Sequence, residues 1–499
     1  REVFGGAFPD LNQFKSYGLT GTVAYELTDD ITIKSLTGYR DIRQVQNQDF
    51  DRTPLPIYAL NERIDIEYFT QELQLVGNSF DDRLKWVVGG FYYWDHADDF
   101  RRRLGGSATS DSAFTDDLTA LNPATTGLGK GELEIKKITT KSIAFFGQGT
   151  FQMTDQLSLT AGLRYTKDKK EFLGFRENRG RVCVDNTTGV VTSVGAACPV
   201  GTTRTSVTHT TNDSWTNWSP RLTVDYRWTP DVMTYISASR GFKGGGFNDT
   251  VPTTCANGDT KVCGLTNYKP ETLWSYEAGL RSDLFDRHLR FNLTGFYIKY
   301  SDLQIEYIEG SPPTRFTTNG DSTVKGFEAE LMAAPTDGLL LRASVGYTNS
   351  KYDKDVLDPT GTTVKIQKTV PYFRSPKWSY TLGANYTIPV MANDELSFDI
   401  NWGWKDTQAS TAIPTNSIIM PSYGLLNGRI QYKAKAGWSL AVFGNNLTNA
   451  YYYTSAFDPG GPTSQASPGT NVAHDAVFGF AMLDIGRPRE FGVELSYKF

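Results

Sequence analysis

No stretch of this 499-residue chain approaches the roughly 18 consecutive apolar residues that a membrane-spanning helix requires. Apolar runs such as residues 87–94 are short and interrupted by glycine, and mean hydropathy is -0.39. A helical membrane protein is thereby excluded. Cationic excess is missing too: 50 Lys and Arg stand against 55 Asp and Glu, a net charge of -5, which argues against a partner presenting a phosphate backbone. Nucleic acid is not expected. The four histidines, His96, His209, His288 and His474, are dispersed, and none falls in a His-Glu-x-x-His spacing. The run Gly244-Gly245-Gly246 lacks the Gly-Lys-Ser/Thr that would make it a phosphate-binding loop. Cysteine is limited to Cys183, Cys198, Cys255 and Cys263, without a Cys-x-x-Cys. Two sequence-local pairs in turn-rich segments predict two small-loop disulfides in an oxidising compartment, although three pairings are formally possible. Arg1 follows neither an initiator Met nor a charged-then-apolar leader, so the chain is expected to begin inside a longer protein.

Aromatic residues and glycine are abundant: Tyr, Phe and Trp make up 13% of the chain, and there are 47 Gly. They are arranged with a period of two. Phe491, Val493, Leu495, Tyr497 and Phe499 alternate with Gly492, Glu494, Ser496 and Lys498. Leu396, Phe398, Ile400, Trp402 and Trp404 repeat the pattern, as do Trp378, Tyr380, Leu382, Ala384, Tyr386 and Ile388. Such alternation predicts strands with one apolar face.

Alternation alone does not say which face meets water, because soluble sandwiches share it. The connections decide. Short polar turns are predicted around Asp29, Asp81, Asp155, Asp231, Asp286, Asp337, Asn393 and Lys435, flanked by aromatics such as Tyr25, Trp86, Trp228, Phe285 and Trp438. The other connections, at about 45–63, 98–135, 174–213, 242–268, 306–316, 353–375, 407–421 and 456–487, are mostly much longer. Short turns at one end, long loops at the other and an aromatic girdle predict an all-β fold, a transmembrane antiparallel β-barrel. Eight hairpins and a closing strand from about Arg489 to Phe499 make 17 strands. An odd count leaves an unpaired edge in lipid, so at least one further strand is expected upstream.

Several segments carry a family pattern: residues 240–248 (RGFKGGGFN), 268–280 (YKPETLWSYEAGL), 324–331 (VKGFEAEL), Asn446-Leu-Thr-Asn449 and 486–491 (GRPREF) running to Phe499. Together, in this order and from Gly18 to the end, they resemble the barrel half of TonB-dependent outer-membrane receptors of the siderophore type. The resemblance implies a 22-stranded barrel occluded by an N-terminal plug, with residues 1–499 as the barrel domain and the plug, the TonB-contacting segment and about five strands absent. It implies a receptor, not an enzyme, in the outer membrane of a Gram-negative bacterium. The receptor would import a scarce nutrient, foremost a ferric siderophore or other iron complex, with energy passed through TonB. Its partners would be outer-membrane lipid and lipopolysaccharide, the TonB complex and the small-molecule ligand, and no cofactor is expected. The alternatives are a passive porin, uptake of oligosaccharide, haem or cobalamin, and a surface β-barrel enzyme or adhesin, for which no catalytic constellation is found. The resemblance places Gly241–Asn248 at the outer end of a strand and Asn446–Asn449 in the long penultimate strand.

Candidate ligand contacts are the loop cations and rings. Arg101, Arg102 and Arg103 are read as opening the longest early loop, where fixed guanidinium groups attract an anionic chelate or lipopolysaccharide phosphates. Phe247, Tyr372, Phe373, Phe457 and Phe478 are rings able to stack on a catecholate or a sugar, and His474 and His96 lie where haem or a metal chelate would be met. Glu277, Glu328, Glu330 and Glu494 alternate with apolar residues and belong to the polar lining.

Overall fold

The computed structural model describes residues 11–49, 58–105, 131–179, 183–185, 191–193, 202–204, 206–248, 267–309, 314–359, 361–391, 394–410, 418–457 and 482–498. Seventeen long strands, mostly paired with their sequence neighbours, make one antiparallel sheet. The first six are β1 (Leu11–Thr28), β2 (Ile31–Asp49), β3 (Tyr58–Ser79), β4 (Leu84–Gly105), β5 (Gly131–Gln152) and β6 (Leu157–Arg179). Then come β7 (Ser206–Thr229), β8 (Val232–Lys243), β9 (Glu271–Leu284), β10 (Leu289–Glu309), β11 (Thr314–Thr336) and β12 (Leu339–Tyr352). The last five are β13 (Trp378–Val390), β14 (Asp394–Lys405), β15 (Tyr423–Lys433), β16 (Trp438–Asn445) and β17 (Glu490–Tyr497). No helix among the described residues is long and apolar enough to cross a membrane. By packing, the chain divides into two units, Arg1–Gln148 with Leu163–Trp218 and Gly244–Tyr268, and Gly149–Gly162 with Ser219–Lys243 and Lys269–Phe499.

In the second unit one face of the sheet is apolar from strand to strand. Tyr386 pairs with Phe398, Phe398 with Ile430, Ile430 with Val442 and Val442 with Val493. These side chains are not buried: Ile430 is 51% exposed and Val442 52%. A water-soluble sheet would cover such a row, because each leucine-sized side chain left in water forgoes roughly 1.5–3 kcal/mol. The opposite face is polar. There Asn427 donates to Asn401 at 2.9 Å and Arg429 forms a bidentate pair with Glu494. The apolar positions of β13 span ten residue steps, from Trp378 to Ile388. At roughly 3.3 Å per residue and a tilt of about 45° that height is about 23 Å, close to the ~25 Å apolar band of a bilayer-spanning strand.

The short turns hold the predicted register. Thr28 and Thr229 each accept a backbone N–H two residues on, from Asp30 and Asp231, at 3.3 Å. Two turns, at Phe80-Asp81-Asp82 and Phe285-Asp286-Arg287, place three successive residues at positive φ, between 52° and 68°. A backbone bond closes each, Arg83 N–H to Phe80 O at 3.1 Å and His288 N–H to Phe285 O at 3.0 Å.

The strands are longer at the loop end than the sequence pattern predicts. β4 continues to Gly105, and the expected loop 306–316 shrinks to the interval between Glu309 and Thr314. Above the band both faces turn polar, so alternation fades while backbone pairing continues. Arg101, Arg102 and Arg103 are therefore strand residues rather than loop residues, opposite Glu62, Asn61 and Leu60 of β3. A second correction concerns Asn446–Asn449, which lies just beyond β16 and not within it. Asn446 and Asn449 sit at φ 49° and 51°, a left-handed conformation that breaks the strand and that Asn tolerates better than most residues.

Candidate functional site

In the first unit, the end of the sheet away from the short turns carries a charged cluster. Counting equal distances back from the turn at Phe80–Arg83 places Glu62 opposite Arg101. The Arg101 guanidinium bonds the Glu62 carboxylate and lies 3.1 Å from Asp99. On β5, Lys136 is 3.6 Å from Glu134, and both are almost wholly buried. Burial pushes the Asp99 carboxyl up to about 6, against the pull of Arg101 and Lys136 and with the help of Glu62 and Glu134. The charge of Arg101 is thus matched within the protein. Arg102 is buried on the other face of β4, and Arg103 contributes a strand backbone pairing. His96 is also a β4 residue, 2.8 Å from Thr139 and 3.4 Å from Asp98.

The same unit explains the glycine run. After β8 the chain forms a two-residue strand, Gly246–Phe247, paired with Asn267–Tyr268. A Cβ at Gly245 would lie 2.7 Å from Trp215 and from the Tyr268 carbonyl, and one at Gly244 would lie 3.0 Å from Asp168. Only glycine fits. Lys170 donates to the Gly245 carbonyl at 2.9 Å. Phe247 is buried, its ring 5.9 Å from Phe172 and 6.3 Å from Trp215. It therefore anchors the segment.

In the second unit the loop end carries an aromatic shelf on a small core. Ile305, Tyr352, Val356 and Ile366 are fully buried together, with Leu303, Val370 and Tyr372 packed against them. Tyr372 stacks on Tyr352 at 4.9 Å and 25°, and on Phe373 at 6.1 Å and 9°. Burial raises both tyrosine hydroxyls above their ordinary range, so both stay neutral. Phe373 is 40% exposed and bridges to Ala409, where the Arg374 N–H donates to the Ala409 carbonyl at 2.8 Å. Nearby, Lys365 lies over the Tyr307 ring at 5.7 Å, and Tyr307 stacks on Phe316. An exposed ring on a fixed aromatic base, with a cation at the neighbouring ring pair, is suited to a flat, anionic, aromatic or conjugated ligand.

The family-pattern segments prove to be fasteners for these ends. The Lys269 N–H donates to Asn319 Oδ1 at 2.7 Å, Asn319 returns a bond to the Lys269 carbonyl, and Glu271 accepts the Gln304 N–H at 2.9 Å. Asn446 bonds Ala450 in both directions and the Arg487 carbonyl, while Asn449 accepts from the Arg489 N–H. Asn446–Asn449 thereby clasps the segment leading into β17.

Sequence reading did not anticipate Glu62, Asp99, Phe172, Trp215 or Tyr352 beside the predicted residues. Hairpin register could have found Glu62, and strand alternation Asp99, two residues before Arg101 on the same face, whereas the others meet across loops. Phe457 ends a short strand, Tyr453–Phe457, paired with Met482–Ile485. Cys183 lies in a three-residue strand, and Cys198, Cys255, Cys263, His474 and Phe478 lie outside the described residues. Among the described residues no group of three or more His, Cys, Asp or Glu is arranged to hold a metal.

Long antiparallel strands, tight turns at one end and an open apolar face define a transmembrane β-barrel protein. Residues 3–447 match the family described as TonB dependent receptor-like, beta-barrel, and the chain belongs to that family. It is 23% identical over 484 residues to a probable TonB-dependent siderophore receptor, PiuA, of Acinetobacter baumannii, covering 91% of this chain and 59% of that protein. It is 28% identical over 208 residues to the ferric-pyoverdine M114 receptor PbuA of Pseudomonas sp., covering 40% of this chain and 23% of that one. Among solved structures, the ferric yersiniabactin uptake receptor FyuA of Yersinia pestis matches with a TM-score of 0.68 at 14% identity, over 98% of this chain and 62% of that one. The match thus covers less than two thirds of the length of each of these relatives. The family is one of receptors of the Gram-negative outer membrane, with siderophore and metal-complex receptors among its members.

Proposed function

We propose that the chain is the barrel portion of an outer-membrane receptor that binds a metal chelate, foremost a ferric siderophore, and imports it with energy supplied through TonB. The observation that carries this reading is family membership over residues 3–447, with relatives named as receptors for metal complexes. Residues 1–499 are read as one barrel domain of that receptor. The protein binds rather than catalyses. The shelf of Phe373 on Tyr372 supplies an exposed ring for the chelate, and Phe457, His474 and Phe478 are proposed as further contacts. Arg101, Arg102 and Phe247 support the loop end, Arg101 by neutralising Glu62 and Phe247 by packing. Cys183–Cys198 and Cys255–Cys263 are proposed as loop disulfides. Outer-membrane lipid and lipopolysaccharide surround the apolar band.

Uptake of a panel of radiolabelled ferric chelates by cells producing the full-length protein tests this. At least one chelate should accumulate only while TonB and the proton gradient are intact. Flux that persists without either would make the protein a passive porin.

A further inference from the structure

The apolar face of the first unit is not uniform. A groove of about 550 Å³ runs over β4, β5, β6 and β7, lined by Val88, Phe145, Gly147, Leu163, Tyr165 and Trp218. Its walls are largely exposed rings: Phe145 is 61% exposed and Trp218 54%, with Trp218 packed on Tyr165 at 4.8 Å. Gly147 keeps the floor low, since a Cβ there would already press on Val88 at 3.3 Å.

Followed away from the short turn at 153–156, the same face of the same two strands changes from apolar to basic. On β6, Leu163 and Tyr165 are succeeded by Lys167 and Lys169, and on β5, Phe145 and Ile143 are succeeded by Lys141. All three lysines are exposed. At roughly 3.3 Å per residue, Lys167 begins about 7 Å beyond Tyr165, and Lys141 and Lys169 begin about 13 Å beyond their rings. Lysine side chains extend readily along such a surface with the ammonium at the polar boundary. Glu171 lies 2.8 Å from Lys169 and is the carboxylate paired there, leaving the cluster with an excess of positive charge.

We propose that this groove is a binding site for a phosphate-bearing membrane lipid, one acyl chain lying between Phe145 and Trp218 and the phosphate held among Lys141, Lys167 and Lys169. The assignment rests on the reading that these strands cross a membrane. Charge complementarity selects an anionic lipid over a neutral one, and the aromatic walls restrain the chain where an ordinary lipid-facing surface would let it exchange.

The test uses the full-length receptor in nanodiscs, with native mass spectrometry reading the lipid retained. Wild-type protein should retain phosphatidylglycerol over phosphatidylcholine. A lysine near the membrane surface contributes roughly fivefold to anionic-lipid binding, so Lys141→Gln with Lys167→Gln should weaken retention by about 30-fold. The charge-conserving pair Lys141→Arg and Lys167→Arg should restore it, and Trp218→Ala should speed exchange. Equal retention of both lipids by the wild type, or full competition by inorganic phosphate, would overturn the proposal. Protein that fails to insert into the bilayer defeats the membrane reading itself, whereas inserted protein without lipid preference defeats only the groove.

Discussion

Asp99 offers a prediction whose sign and size both come from its surroundings. Its carboxyl titrates at about 6 in the folded protein, against 3.8 for an unperturbed aspartate, because burial, with Glu62 and Glu134 nearby, outweighs the attraction of Arg101 and Lys136. Between those two values the folded state binds more protons than the unfolded state, so stability must fall as pH rises, and the loss is complete above about pH 6. One unit corresponds to 1.36 kcal/mol, so this carboxyl should remove about 2–3 kcal/mol between pH 4 and pH 7. Other carboxylates titrate in the same interval, so the informative quantity is the difference between wild type and Asp99→Asn. Urea unfolding of the full-length protein in lipid vesicles, followed by tryptophan fluorescence from pH 4 to pH 7, should show the variant gaining on wild type by that amount as pH rises. Arg101 keeps its bond to Glu62 in the variant, so the local fold is preserved. A difference that stays flat, or that favours wild type at pH 7, would refute the burial-dominated account.

Three further outcomes are expected. Gly245→Val drives a side chain into Trp215 and the Tyr268 carbonyl, and should cost about 1–3 kcal/mol with new protease cleavage near Phe247, read by limited proteolysis. Ile305→Ala, at a fully buried site of the small core beneath Tyr372, should destabilise by about 2–5 kcal/mol, whereas Phe373→Ala should leave stability within about 1 kcal/mol and weaken binding of the transported chelate. Denatured, non-reduced protein isolated from the cell envelope should react with no thiol reagent, and four reactive cysteines would rule out the two disulfides.

The strand architecture was readable because side-chain alternation and turn chemistry are local. Residues two apart share a face whatever the rest of the chain does, and Asp-rich turns fix register, so the seventeen strands and the short turns follow from sequence. Alternation also located the apolar band. It did not mark where pairing ends, because above the band polar residues occupy both faces while backbone bonding continues. For that reason the sequence pattern makes Arg101 a loop cation, whereas it is a strand residue held by Glu62 and Asp99.

Composition and motif order determined an all-β membrane-spanning receptor of this family. Tertiary structure alone decided the partners of its unusual residues. That Phe247 is an anchor against Phe172 and Trp215, that Phe373 is an open shelf on Tyr372, and that Gly244–Gly246 makes room for Asp168, Trp215 and Tyr268 are contacts between segments far apart in the chain. Such contacts depend on how distant loops meet. No local period encodes that meeting, since a ring at a loop position has the same sequence signature whether it is buried or waiting for a ligand.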